Sequence, residues 1–180
     1  MRHDLVSPAL VALEKIIRTY GAVNKVLDLT CGYGLLGALL RNYLEQSMDP
    51  DKWRLQITGA ESDESKRSPL WGLYDSVKVL PPDGFLKDHN KRYDVVVISD
   101  VSLLEQDKTT VEILEAAYDL VDKGMIVVGE EKQWIIDVAF DKLFRRFSYS
   151  PQDRGGWVAV AYNLYLPVGI KEVGAVGATD

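Results

Sequence analysis

The chain has 180 residues, 47% of them hydrophobic and 27% charged, which suits one soluble domain able to bury a core without disulfides or metal. Its formal charge of −6 argues against broad nucleic-acid binding, which scales with the number of Lys and Arg contacts to phosphate. A lone cysteine, two histidines far apart, no apolar run near the roughly 20 residues of a membrane helix and no signal-peptide centre in "MRHDLVSPAL" argue against zinc and a membrane span, so a cytoplasmic protein is expected.

In chain order the first element is a helix in "SPALVALEKIIRTYG", with Ser7 able to cap it, Pro8 suited to its first position and Gly21 to its stop. "KVLDL" reads as a short strand, "LLGALLRNYLEQ" as a helix, and "RLQITGA" and "DSVKVL" as the second and third strands. Between those two, "SPLWGLY" suits a short helix capped by Ser68 with Pro69 at its start. "YDVVVISD" is a β-branched run of the kind buried on both faces of a parallel sheet. "KTTVEILEAAYDLVDKG" places Val111, Leu114, Ala117 or Tyr118, and Val121 on one helical stripe ending at Gly124, and "MIVVGE" follows as a strand. "WIIDVAFDKLFRRF" reads as a helix; "FSYS" and "WVAVAYNLY", joined by the turn-rich "PQDRGG", suit an antiparallel hairpin.

This alternation predicts a doubly wound α/β fold: a mostly parallel seven-stranded sheet with an antiparallel C-terminal hairpin and helices on both faces. One domain over residues 1–168, opening with a leading helix over 1–21, would end in a flexible, Gly-rich tail over 169–180. Ligands of such sheets sit beyond the carboxyl ends of the strands, which selects Asp28 to Gly34, Glu61 to Asp63, Pro81 to Phe85, Ser99 to Ser102 and Gly129 to Lys132.

Three of those strand ends carry a carboxylate: Asp28, Glu61 and Asp83. A carboxylate after the second strand is placed to accept hydrogen bonds from both hydroxyls of a ribose, so Glu61 suits an adenosine. Gly32-x-Gly34-x-x-Gly37 spells the dinucleotide fingerprint, in which the loop faces a pyrophosphate. Asp28 opposes that reading, because two unit charges about 6 Å apart at an effective dielectric near 20 repel by roughly 3 kcal/mol. A cofactor with an ammonium and a sulfonium would welcome the same carboxylate, and S-adenosylmethionine has both.

"VLDLTCGYG" resembles the first motif of the class I S-adenosylmethionine-dependent methyltransferases, an acidic residue followed by alternating glycines, with Asp28, Gly32 and Gly34 matching and Thr30 in place of the first glycine. "ITGAESD" is similar to the family's second-strand acidic motif, "PPDGF" to its adenine-contacting loop, "YDVVVISD" to its fourth strand, "LVDKGMIVVGE" to its helix, turn and fifth strand, and "FRRFSYSPQDRGGWVAVAYNL" to its antiparallel sixth and seventh strands. The resemblance covers roughly residues 20 to 165. It implies a Rossmann-like methyltransferase with S-adenosyl-L-methionine as cofactor: Asp28 would hold the methionine ammonium, Gly32 and Gly34 would admit the cofactor to the backbone, Glu61 would take the ribose, and Asp83 would accept from the adenine amino group with Gly84 or Phe85 beside the ring. Thr30, Tyr33, Ser62 and Ser99 complete the implied cofactor set. Gly37 is left to close packing of helix on strand, and Cys31 to a small buried loop position, since no histidine is near it in sequence.

The acceptor is less legible. The end of the fourth strand reads Ser99, Asp100, Val101, Ser102, and Asp100 is the candidate base or substrate anchor. The family's Asp or Asn, two prolines and an aromatic, typical of amine methylation, is absent. Asp100, Glu130 and Glu131 form a weak metal alternative of hard oxygen ligands, against which an exposed acid pair is the simpler expectation. With no inserted recognition domain in the sequence, the acceptor is expected to be small or to be presented by a partner chain. Trp71, Trp134 and Trp157 could form a substrate or partner surface, with core packing expected for at least one. Two further readings stand beside methyl transfer: a methyltransferase-like binding or scaffold subunit without activity, and a nicotinamide-dependent oxidoreductase resting on the literal glycine motif. "KDHNKR" at 87–92 and Arg145, Arg146 and Arg154 are expected to be solvated charged faces.

Overall fold

The computed structural model describes residues 3–47, 54–87, 89–99, 108–130, 147–151 and 156–162. Helix α1 (His3–Tyr20) leads into β1 (Lys25–Asp28) and α2 (Leu35–Ser47), followed by β2 (Gln56–Glu61) and two 3-10 segments, Glu64–Lys66 and Pro69–Leu73. Then come β3 (Ser76–Val79), α3 (Pro82–Lys87), β4 (Tyr93–Ile98), α4 (Lys108–Asp119), β5 (Val121–Glu130), β6 (Phe147–Pro151) and β7 (Gly156–Tyr162). The strands lie in the order β3-β2-β1-β4-β5-β7-β6. The first five are parallel, as the βαβ alternation predicts, while β7 runs antiparallel between β5 and β6.

The central strands β1 and β4 are covered on both faces, which is why β4 reads as an unbroken apolar run. Val95 and Val97 face the α1 and α2 side with Leu13, Ile16, Leu36, Leu40 and Val26. Val96 and Ile98 face the α3 and α4 side with Leu27, Phe85, Leu114 and Ala117. No helix among the described residues is long and apolar enough to cross a membrane.

Three boundaries depart from the sequence reading. Helix α1 includes residues from His3 onward, so Ser7 and Pro8 stand inside it rather than at its start, while Gly21 ends it with φ 82° and donates its N–H to the Ile17 carbonyl. "PPDGF", expected as a loop, winds into α3 with Pro82 as its first residue, where a missing N–H costs nothing. The helix expected to run to Gly124 stops at Asp119, and Val121 already pairs with Tyr93 as the start of β5. Arg92 explains the stop: its guanidinium donates to the carbonyls of Asp119 and Val121 and pairs with Asp122, taking acceptors that another helical turn would use. The segment "SPLWGLY" is helical but 3-10, with the Ser68 hydroxyl accepting from the Leu70 N–H as its cap. The helix expected over "WIIDVAFDKLFRRF" falls on residues outside those described, as does the tail from residue 169.

A candidate cofactor site at the carboxyl edge of the sheet

Strand order reverses between β1 and β4, and Asp28 ends β1 at that point. Its carboxylate is fully buried. Ser99, just beyond β4, donates to Oδ1 at 2.5 Å, and the Tyr74 hydroxyl donates to Oδ2 at 2.8 Å. Neither partner is charged, and no ion pair reaches Asp28 among the described residues. Burial pushes its pKa up to about 6, against the opposing hydrogen bonds from Ser99 and Tyr74. The same burial, reinforced by the Asp28 charge, drives the Tyr74 hydroxyl far above its ordinary range, so it stays protonated and donates.

Tyr74 reaches Asp28 only because two glycines make room for its ring. A Cβ on Gly37 would stand 2.0 Å from Tyr74 Cζ, and one on Gly59 would stand 3.0 Å from Cδ1. The Tyr74 hydroxyl also accepts the Gly37 N–H at 3.0 Å, satisfying a donor in the first turn of α2 that has no partner inside the helix. The glycine left to helix-on-strand packing in the sequence reading is therefore the seat of a tyrosine.

After Asp28 the chain turns over the strand ends, with Leu29 donating to Val97 and Cys31 to Ala60. Gly32 (φ 54°) and Gly34 (φ 85°) both take left-handed backbone, which side chains disfavour. Their surroundings differ. A Cβ at Gly32 would meet no atom within 4 Å, whereas at Gly34 it would meet Trp71 at 3.0 Å and Leu70 at 3.3 Å. The loop is thus open at Gly32 and closed at Gly34, where the 3-10 helix packs on it. That helix also grips the loop's carbonyls, Trp71 Nε1 donating to Gly32 at 2.8 Å and the Ser68 hydroxyl to Tyr33 at 2.5 Å. Trp71 is buried in the core, in line with at least one of the three tryptophans having that role, while the Tyr33 side chain is 64% exposed at the strand ends.

Glu61 lies across from the loop and is 2% exposed. Oε2 accepts the Gly32 N–H at 2.8 Å. Oε1 takes the Asp63 N–H at 3.0 Å, Lys66 Nζ at 3.0 Å and the Ser62 hydroxyl at 3.3 Å. The carboxylate therefore joins the second strand to the glycine loop and carries a lysine counter-charge within its own chain. Thr30 is buried beside these groups. Cys31 is also buried, and burial with the nearby Asp28 and Glu61 charges pushes its thiol far up, which removes it as a nucleophile.

The third strand end is built differently from the first two. Asp83 and Gly84 occupy the start of α3, partly exposed, but Phe85 is 2% exposed and stacks on His89 with ring centroids 4.5 Å apart. The structure puts this ring in the core, not on an open face where an adenine would lie. Asp100 and Glu131 are outside the described residues, and Glu130 is described only as the backbone end of β5. Among the described residues no group of three or more His, Cys, Asp or Glu is arranged to hold a metal.

No protein-family model matches the chain, and no curated protein matches it in sequence. Solved structures do. A magnesium protoporphyrin IX methyltransferase of Synechocystis, with S-adenosylmethionine bound, is 15% identical over 88% of this chain and 79% of its own, with TM-score 0.59. An rRNA methylase of Streptococcus thermophilus is 12% identical over 86% of this chain and 95% of its own, also at 0.59. The chain has the class I methyltransferase fold. Within the class I fold, Asp28 and Ser99 stand together at the switch point and Glu61 meets Gly32. Tyr74 and Lys66 escaped the sequence reading, and Ser68 and Trp71 were read there as a cap and a surface or packing residue rather than as donors to the loop; the one signal for Tyr74 was a glycine inside the otherwise strongly helical "LLGALL", which marks a close approach by something large.

Proposed function

We propose that this chain binds S-adenosyl-L-methionine at the carboxyl edge of its sheet and transfers the methyl group to an acceptor. The observation that carries the reading is Asp28: a fully buried carboxylate with two neutral donors and no ion pair among the described residues, beside a loop open at Gly32. Such a group is unfavourable by itself and favourable once a cation is brought to it. When bound, the cofactor supplies a methyl on a leaving group that is already cationic, so alignment of the acceptor is the main requirement.

In this reading Asp28 holds the ammonium of the methionine moiety, oriented by Ser99 and Tyr74. Glu61 and Ser62 face the ribose, and Gly32 with Thr30, Tyr33 and Gly34 forms the loop beneath it. Asp83 and Gly84 remain the residues proposed for the adenine, and Asp100 for the base or anchor at the acceptor. The acceptor is a small molecule or a group on a partner chain.

A second reading has support of its own. The Asp or Asn, two prolines and an aromatic that mark amine acceptors are missing from the sequence, and this favours a binding subunit that methylates nothing. Calorimetric titration with S-adenosylmethionine, S-adenosylhomocysteine and NAD tests both. Micromolar binding of the first two is expected; binding of NAD alone would overturn the proposal, and binding without transfer to any acceptor supplied would favour the second reading.

A further inference from the structure

The opposite edge of the sheet carries a cleft of about 480 Å3, formed where β1, β2, β3 and β4 begin. Lys25, Lys78, Lys91 and Arg92 line it, together with Gln56, Thr58, Ser76, His89, Tyr93 and the single acid Asp122. In a chain of net charge −6, four cations against one carboxylate is a reversal of sign. Three described acids near this edge are already neutralised. Asp122 pairs with Arg92 at 2.5 Å, Asp94 with Lys123 at 3.1 Å and Asp75 with Arg41 at 2.7 Å. Asp94 and Asp75 also accept backbone N–H groups of Lys25 and Ile57. Lys25, Lys78 and Lys91 have no ion-pair partner among the described residues; Lys78 lies 5.6 Å over the Phe85 ring, which holds its stem without neutralising it.

The floor is built of neutral hydrogen-bonding groups. Thr58 bonds to the Tyr93 hydroxyl, which lies 2.7 Å from His89 Nε2. Phe85 and Tyr93 stack against the two faces of the ring. Burial, then the charges of Lys78 and Lys91, keep His89 below its ordinary pKa and therefore neutral near pH 7.

We propose that this cleft is a second ligand site, independent of the cofactor reading, which takes a compact phosphate-bearing molecule of nucleotide size or smaller through Lys25, Lys78 and Lys91 with the hydroxyl of Ser76. Three ammonium groups without an ion-pair partner among the described residues, beside the Ser76 hydroxyl, match a multiply charged phosphate, for which lysine acts as a point-charge partner. The acidic chain and the confined cleft disfavour a nucleic-acid backbone, which requires a continuous basic track. The "KDHNKR" segment, read from sequence as a solvated charged face, supplies His89, Lys91 and Arg92 to it.

The test is titration of the full-length, 15N-labelled chain with inorganic pyrophosphate at 150 mM salt, followed by NMR. Saturable shifts are expected at the amides of Lys25, Thr58, Ser76, Lys78 and Lys91, with a rise in the His89 pKa while His3 stays unchanged. Lys78→Gln and Lys91→Gln, with native-like amide spectra, should each raise Kd about tenfold, and Arg18→Gln, away from the cleft, should leave it unchanged. Shifts that do not saturate, that spread to exposed cations such as Lys15, or that survive both lysine substitutions would overturn the proposal. So would a single-stranded RNA octamer that binds more tightly than pyrophosphate across a wider surface.

Discussion

Replacing Asp28 by asparagine separates what this carboxylate contributes to binding from what it costs in stability. In the folded chain burial raises its pKa from the ordinary 3.8 to about 6, so the folded state keeps a proton that the unfolded chain releases. The stability associated with that proton is fully present below pH 3.8 and is lost as pH rises through about 6. A shift of this size corresponds to about 3 kcal/mol. Asparagine is neutral throughout and escapes the loss, although its amide cannot accept from Tyr74 as the carboxylate does, at a cost of about 1 kcal/mol. Asp28→Asn is therefore expected to be less stable than the parent by about 0.5 kcal/mol at pH 4, where part of the loss has already occurred, and more stable by about 2 kcal/mol at pH 7.5. Urea unfolding of both chains at the two pH values measures this difference of differences, in which the remaining titrating groups cancel. A stability difference that does not change between pH 4 and 7.5 would refute the argument. The same substitution should weaken S-adenosylmethionine binding by tenfold or more, since an ammonium loses its counter-charge (about 1.4 kcal/mol or above).

Cofactor binding to the parent chain should release a proton below pH 6, so its Kd should rise about fivefold from pH 6 to 5, measured by calorimetry in two buffers of different ionisation enthalpy. Gly37→Ala, whose Cβ would overlap the Tyr74 ring at 2.0 Å, should destabilise by about 3 kcal/mol. Much of that loss should vanish in a Tyr74→Ala background, a non-additivity seen in urea midpoints. Lys66→Met leaves the 2%-exposed Glu61 carboxylate without its cation and should lower stability by about 2 kcal/mol in thermal unfolding. Cys31 should resist iodoacetamide at pH 8 in the native chain and react at once in urea, followed by mass spectrometry.

The sheet was legible in the sequence because burial on both faces forces a near-continuous apolar strand, and "YDVVVISD" could be little else. Boundaries were less legible where a distant side chain sets them. Arg92 ends α4 by taking its last carbonyl, that of Asp119, a contact between residues 27 positions apart that no local propensity records. The third strand end misled for a related reason: "PPDGF" carries loop-forming residues, but Pro82 is equally suited to start a helix, and the core claims Phe85.

The site divides along the same line. The local sequence determined that a glycine loop follows β1 and that carboxylates stand at the tips of β1 and β2, because backbone conformation and strand ends are properties of neighbouring residues. Which groups meet those carboxylates was decided only by the tertiary structure. Tyr74 lies 46 positions from Asp28, and Gly32 lies 29 from Glu61. A buried charge is tuned by what is folded against it, and the chain order does not say what that will be.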